Sequence, residues 1–211
     1  MLILARVLVC LVCLIVAAGC GHSSLPAGAD LVARSRQAWH GDWHGVWQVE
    51  WSGAPVRGPL VAEVWHTADG RLRVETLEAP VPALSGLVLV QNGKANSLYS
   101  TRDSQVEAGQ PGKPLRIPLI SDALDTVDWL FDRLEGATLV VAGRERLESG
   151  PATRLKITLS NGDQAALWIN DETGLPARLQ IRSATQGEAT FTARALSRLE
   201  GPHPGLFDTG S

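Results

Sequence analysis

The sequence is poor in residues and patterns that indicate catalysis. Its 211 residues include only three cysteines, and all three lie within the first 20 positions. The rest of the chain therefore has no thiol for nucleophilic catalysis, for an internal disulfide or for a thiolate metal site. The formal net charge is −3, so charge offers no argument for binding nucleic acid. We expect no cofactor, no metal and no nucleic-acid partner.

Familiar catalytic motifs are also absent from the sequence. It contains neither the Gly-x-Ser-x-Gly turn of serine hydrolases nor a glycine-rich phosphate loop. His40 and His44 have the spacing of a zinc-protease helix, but Gly41 stands where that motif has glutamate. We interpret the remaining carboxylate cluster as the solvated face of a helix: Asp122, Asp125, Asp128 and Asp132. The sequence therefore predicts a protein that is not an enzyme.

The N-terminus is the most specific feature of the sequence. An apolar run from Val7 to Ala18 is short for a membrane span and suits the core of a signal peptide. It leads into Ala-Gly-Cys at positions 18–20, which resembles the bacterial lipobox, whose cysteine is lipidated and becomes the first residue after cleavage. The alternatives are an ordinary signal peptide that is cut nearby and an uncleaved anchor.

The lipobox interpretation divides the chain into three parts. It predicts a signal peptide at residues 1–19, a flexible tether at 20–28 after lipidated Cys20, and one domain at 29–211. Several buried acyl chains would hold the protein permanently on a bilayer, because each methylene contributes about 0.8 kcal/mol. We therefore expect the domain in the cell envelope, outside the cytoplasm and anchored to a bacterial membrane through Cys20.

Four tryptophans recur at intervals of four in WHGDWHGVWQVEW, residues 39–51. Gly41 and Gly45 disfavour one helix through the whole segment. We predict a helix from Ala29 to about His40 and place Trp43 in the connection after it. Alternation from Val46 onward then indicates a half-buried strand with three apolar side chains on one side, namely Trp47, Val49 and Trp51.

The rest of the chain is typical of an antiparallel meander with one helical interruption. Asx-Gly pairs mark several of the turns. The further strands are predicted at 60–67, 71–77, 86–91, 95–100, 104–108, 138–142, 153–159, 165–170, 176–182 and 188–196. A second helix is predicted between Ser121 as its N-cap and Gly136 as its C-cap, with an apolar stripe formed by Leu124, Val127, Leu130, Phe131 and Leu134. These elements predict a mainly β (α+β) domain with a strongly curved antiparallel sheet.

The apolar side of such a sheet has two interpretations. The amphipathic helix either fills the hollow and completes a core, or leaves room for acyl chains. Periodicity alone does not separate these two possibilities.

Several segments carry a resemblance to a known family. The runs VWHTADGRLRVETLEAP and LVLVQNGKANSLYSTRDSQVEAG, which include the Asn92-Gly93-Lys94 hairpin and Tyr99, resemble the LolA/LolB-like lipoprotein carrier superfamily. The later segments LWINDETGLPARLQI and GLFDTG are similar to that family's back-to-back strands and its closing phenylalanine segment. The resemblance spans about residues 30–210. The exposed loop leucine of the membrane-bound acceptor type has no clear equivalent, and Leu84 is the nearest candidate.

The resemblance implies an incomplete antiparallel β-barrel with an N-terminal helix and a helical lid over an apolar cavity. It also implies a ligand, either lipid acyl chains or an acylated lipoprotein, that is transported or sorted in the envelope. An envelope-stress sensor or protein-interaction module with an envelope partner is the main alternative, and a filled structural domain is another. By strand and helix, the cavity and its lid would be formed by Trp47, Val49, Trp51, Leu72, Val74, Leu130, Phe131 and Leu134.

Overall fold

The structure of the protein is a computed structural model. It describes residues 27–52, 58–93, 95–102, 106–109, 115–183, 187–201, 203 and 205–208. The predicted signal peptide, Cys20 and most of the predicted tether lie outside the described residues. No helix in the described ranges combines the length and the apolar character needed to cross a bilayer.

The N-terminal helix, α1, spans Gly28–Trp39, as predicted. The following strand, β1, spans Trp43–Ser52 and begins three residues before the predicted start. The assignment of Trp43 to the connection was therefore wrong. A side chain at Gly45 would approach Trp47 Nε1 to 2.8 Å, so glycine is present because an indole packs over it, and the strand continues through it.

The remaining elements follow the predicted order. They comprise a short 3-10 turn, ten further strands and one further helix among the described residues. Their bounds are β2 Leu60–His66, β3 Leu72–Glu78, the 3-10 turn Pro82–Leu84, β4 Leu87–Gln91, β5 Asn96–Ser100, β6 Val106–Ala108, α2 Ile120–Asp132, β7 Thr138–Leu147, β8 Gly150–Thr158, β9 Gln164–Asn170, β10 Pro176–Ser183 and β11 Gly187–Arg198.

All of these strands belong to one antiparallel sheet. Its order is β6-β5-β4-β3-β2-β1-β11-β10-β9-β8-β7, so hairpins account for every neighbour except β1 beside β11. The edge strands β6 and β7 do not pair with each other among the described residues, so the barrel stays open. The predicted fold class, a mainly β incomplete barrel with two helices, is confirmed.

Strand β7 is longer than predicted. The prediction ended at Ala142, but the strand continues to Leu147, which pairs with Gly150 across a tight hairpin. The ladder shifts register between Val141 and Gly143, and Gly143 has φ of 131°. This bulge adds one residue to β7, so the alternation of side chains is interrupted while the strand continues. The prediction ended at that interruption.

Helix α2 also has different ends from those predicted. It begins at Ile120, so Ser121 lies in its first turn, where its hydroxyl accepts a hydrogen bond from the Ile117 N–H at 3.1 Å. It ends at Asp132, and Arg133 N–H donates to the Leu130 carbonyl in a tightened last turn. Gly136, with φ of 72°, therefore lies in the separate turn that leads to β7.

The sheet has an inner and an outer face. We call the face that carries Trp47, Val74, Leu155 and Leu179 the inner face, because these residues lie with α1 and α2 in the main apolar core. The opposite, outer face is mainly polar, with two small apolar clusters. In one of them the C-terminal Phe207 packs against Val88 and Val90.

Candidate functional site

The eight residues predicted to form the cavity and its lid lie together on the inner face or on the elements that cover it. Five are buried within the main apolar core: Trp47, Val49, Val74, Leu130 and Phe131. The other three are half-buried and pack against that core: Trp51, Leu72 and Leu134. Whether they bind a ligand stays a prediction. Leu84, the candidate for an exposed loop leucine, is instead half-buried against the same core.

The repeated tryptophans form a connected aromatic cluster where α1 meets β1. Trp39 and Trp43 are stacked, with ring centroids 4.6 Å apart, and Trp43 Nε1 donates to the Trp39 carbonyl at 2.7 Å. Trp47 meets Trp39 edge to face at 5.9 Å, and Trp51 meets Phe191 at 5.8 Å. Trp39 thus lies at the end of α1, and Trp43, Trp47 and Trp51 lie on one face of β1, because even steps keep side chains on the same face of a strand.

The cluster leaves two indole N–H groups without a partner. The Nε1 atoms of Trp47 and Trp51 are buried and have no hydrogen-bond acceptor among the described residues. Buried donors of this kind cost free energy unless a partner is supplied.

The two helices are joined by polar contacts across the inner face. Trp39 Nε1 donates to Asp128 Oδ1 at 2.8 Å, and Arg36 pairs with Asp132 at 2.8 Å. Burial of the Asp128 carboxyl raises its pKa, although the hydrogen bond from Trp39 acts in the opposite direction. The interpretation of Asp128 as a solvated residue was therefore wrong, because its side of α2 faces α1.

The Asp128 contact can be tested with two substitutions. Asp128→Asn retains an acceptor for Trp39 and removes a buried charge, so we expect a free energy of unfolding at neutral pH equal to or above that of the wild type. Asp128→Ala leaves the indole N–H unpaired and is expected to cost about 1–2 kcal/mol. Urea denaturation at pH 7 would measure both.

The pH dependence of this effect has a definite sign. Because the pKa of Asp128 is raised in the folded state, the folded protein takes up this proton first as the pH falls. The wild type should therefore gain stability relative to Asp128→Asn as the pH falls through that raised pKa. A difference between the two proteins that is constant from pH 7 to pH 4 would contradict the assignment.

The histidine pair does not share one site. His44 lies on the outer face, where its Nε2 is 2.7 Å from Glu63 Oε1 and its ring stacks on Trp65. His40 instead lines a surface cleft between the end of α1 and the β9–β10 turn. Within the described ranges, no three His, Cys, Asp or Glu side chains are grouped so as to hold a metal.

The cleft beside α1 has a volume of about 740 Å³. Side chains of both charges line it: Arg34, Arg144, Arg198, Asp42, Asp171 and Glu172. Arg198 Nη2 donates to the Thr173 carbonyl at 2.6 Å, which ties the end of β11 to the turn. This mixture of charges does not select a ligand of one sign.

A second, smaller cavity lies on the outer face over strands β8, β9 and β10, and its volume is about 350 Å³. No sequence motif predicted a function for this cavity. The basic residues that surround it nevertheless follow a pattern in the sequence. Arg154 and Lys156 alternate with apolar residues in β8, as Arg178 and Arg182 do in β10. Alternation predicted a polar outer face but not which cations would meet across strands.

No protein-family model matches the sequence, and no curated protein matches it. Solved structures do match. An uncharacterised conserved protein from Thermus thermophilus is 17% identical with a TM-score of 0.51, and the match covers 82% of this chain and 88% of that chain. MucB in the Pseudomonas aeruginosa MucA/MucB complex is 16% identical with a TM-score of 0.51, and the match covers 87% of this chain.

LprF from Mycobacterium bovis is a third match, 14% identical with a TM-score of 0.50, covering 84% of this chain and 96% of that chain. This chain spans only 61% of the matched chain in the MucA/MucB complex. At these identities the similarity concerns the fold. The fold implied by the family resemblance, an incomplete antiparallel barrel with two helices, is the fold observed, and the chain shares it with LprF and with MucB.

Proposed function

We propose that the protein is a non-enzymatic lipoprotein of the cell envelope that binds lipid acyl chains, or the acyl chains of a lipoprotein, between its inner face and α2. It would be held on the extracytoplasmic side of a bacterial membrane through Cys20 and would serve in transport or sorting. The eight predicted residues, which lie on the inner face, on α2 and directly after α2, would supply the binding surface.

One observation carries the proposal: α2 covers the inner face through apolar side chains. Val127, Leu130 and Phe131 pack into the main core, while no backbone hydrogen bond joins α2 to the sheet among the described residues. Apolar contacts are non-directional, so an acyl chain can replace those of the helix at about 0.8 kcal/mol per methylene. A helix held in this way is suited to act as a lid.

Copurified lipid provides the direct test. Protein extracted in an uncharged detergent is expected to carry non-covalently bound acyl species in native mass spectrometry. After delipidation it should bind the fluorescent fatty acid cis-parinaric acid at micromolar concentration. Protein with no bound acyl species that also fails to take up the probe would refute the proposal.

Anchoring is tested separately. Cells that express the wild type with radiolabelled palmitate should yield labelled protein, and Cys20→Ser should lose the label because its hydroxyl is not the thiol that accepts the lipid. Cys13→Ser, which changes a cysteine within the predicted signal peptide, is the matched control and should keep the label. Label retained by Cys20→Ser would place the lipid elsewhere.

A second candidate function is a protein-interaction module that binds an extended segment of an envelope protein. Strand β7 is a ten-residue edge of the sheet, and Val140 on it is 52% exposed. An exposed edge can pair with an added strand. MucB, which shares the fold, forms a complex with MucA.

A photo-cross-linking residue at position 140 tests this second function in living cells. We expect one discrete cross-linked protein from that position and none from the same residue placed at Thr126 on α2. Val140→Lys should weaken the interaction, because a charge on an edge disfavours strand addition. Identical cross-linking patterns at the two positions would refute the edge as an interface.

A further inference from the structure

The outer face of the C-terminal strands concentrates positive charge in a protein whose net charge is −3. The cavity of about 350 Å³ on this face is lined by three cationic side chains, Arg154, Lys156 and Arg182, and by one carboxylate, Glu188. We call this cavity the β8–β10 pit. The pit shares none of the eight inner-face and lid residues, so its role is independent of acyl binding.

Strand register builds the pit around a small residue. Ala166 pairs with Lys156 on one side and with Gln180 on the other, so a methyl group lies where the neighbouring cross-strand rows carry long side chains. One of those rows contains Gln164 opposite Arg182. Ala166 thereby forms a floor surrounded by ammonium, guanidinium and amide groups.

A tryptophan holds the next row of cations in place. Trp168 is buried, and the guanidinium carbons of Arg154 and Arg178 lie 4.7 and 5.5 Å from the centroid of its ring. Contact with the indole reduces the freedom of both guanidinium groups before any ligand arrives. The pit is therefore partly preorganised.

The hydrogen-bonding groups in the pit are incompletely satisfied. Arg182 pairs with Glu188 at 3.2 Å, and Arg154 pairs with Glu145 at 3.4 Å, but Lys156 has no ion pair among the described residues. Arg154 Nε is buried and has no acceptor within the same part of the chain. Asp163 in the adjacent turn does not line the pit, and its side chain accepts a hydrogen bond from Asn161.

We propose that the β8–β10 pit binds a phosphate-bearing anion through Lys156, Arg154 and Arg182, with Gln164 and Gln180 as neutral donors. Lysine and arginine offer only donors, and a phosphate group offers several acceptor oxygens and negative charge. The volume accommodates a phosphate ester rather than the bare ion alone. Such an ester occurs both in soluble metabolites and in lipid headgroups.

Isothermal titration of the full chain in dodecyl maltoside tests the pit, with glycerol 3-phosphate and short-chain dihexanoyl phosphatidylglycerol as probes. Lys156→Gln removes the unpaired charge and should weaken binding about tenfold. Ala166→Leu keeps every charge but fills the floor, so it should weaken binding by a similar factor. Arg133→Gln, which removes a charge at the end of α2, is the matched control and should bind like the wild type.

The two probes separate the sources of the phosphate. Similar affinities would support a soluble phosphate ester as ligand. A phosphatidylglycerol affinity at least tenfold higher would support a lipid headgroup if Lys156→Gln and Ala166→Leu both lower it, because acyl binding at the inner face does not involve these two residues. No binding of either probe at millimolar concentration would overturn the proposal, as would wild-type affinity in both pit variants. Uptake of cis-parinaric acid, measured on the same preparations, reports on the inner face alone and keeps the two proposals distinguishable.

Discussion

Replacing Trp43 with alanine is expected to lower the free energy of unfolding by about 3–5 kcal/mol, the range for truncating a large buried aromatic. Trp43 is only 1% exposed. Its ring stacks on Trp39 and on His66, and its N–H closes the turn between α1 and β1. The substitution removes one of the main contacts that join the N-terminal helix to the sheet, so urea denaturation should show a large shift of the midpoint.

Two further variants separate the effect of losing the contacts of Trp43 from the effect of losing any indole ring. Trp43→Phe keeps a stacked ring but loses the hydrogen bond to Trp39, and it should cost substantially less than alanine. Trp65→Ala removes a half-buried indole from the outer face and should cost about 1–2 kcal/mol. Equal losses for Trp43→Ala and Trp65→Ala would show that the aromatic cluster has no special part in stability.

Replacing Phe131 with aspartate should have a comparable effect by a different route. Phe131 is 3% exposed and packs from α2 into the inner face. An unpaired carboxylate there must either remain buried, at about 3–5 kcal/mol, or move α2 away from the sheet. We expect a lower free energy of unfolding and loss of cis-parinaric acid binding.

Thr126→Asp is the control for this substitution, because it adds the same charge to α2 at a position whose hydroxyl bonds back to the Asp122 carbonyl rather than to the sheet. It should leave probe binding within about twofold of the wild type, since surface substitutions usually cost under 0.5 kcal/mol. If Phe131→Asp remains folded and binds the probe normally, then α2 does not form part of an acyl site.

Much of the fold was predictable because alternation and turn chemistry are local. Asn92-Gly93 and Asp69-Gly70 marked hairpins that the structure contains, and the alternation from Trp47 to Trp51 matches the observed burial of the strand. Three of the four aspartates of α2 are exposed, as predicted. These features depend on residues within a few positions of one another.

Two of the errors arose because each residue has a neighbour that is distant in the sequence. Gly45 suggested a break, yet Trp47 packs over it and β11 pairs alongside it, so the strand continues. Asp128 looked solvated, yet α1 brings Trp39 to it across 89 positions. No local pattern reports such a neighbour.

By itself, the sequence determined the order of the elements, the polarity of each strand face and the lipobox-like cysteine at position 20. Hydrophobic periodicity and turn residues specify these features because they act over a few residues. Only the tertiary structure decided that β1 pairs with β11, that α1 and α2 lie together over the inner face, and that Lys156 and Arg182 surround Ala166. Sheet register sets those neighbours, and it depends on the packing of the whole domain rather than on any one segment.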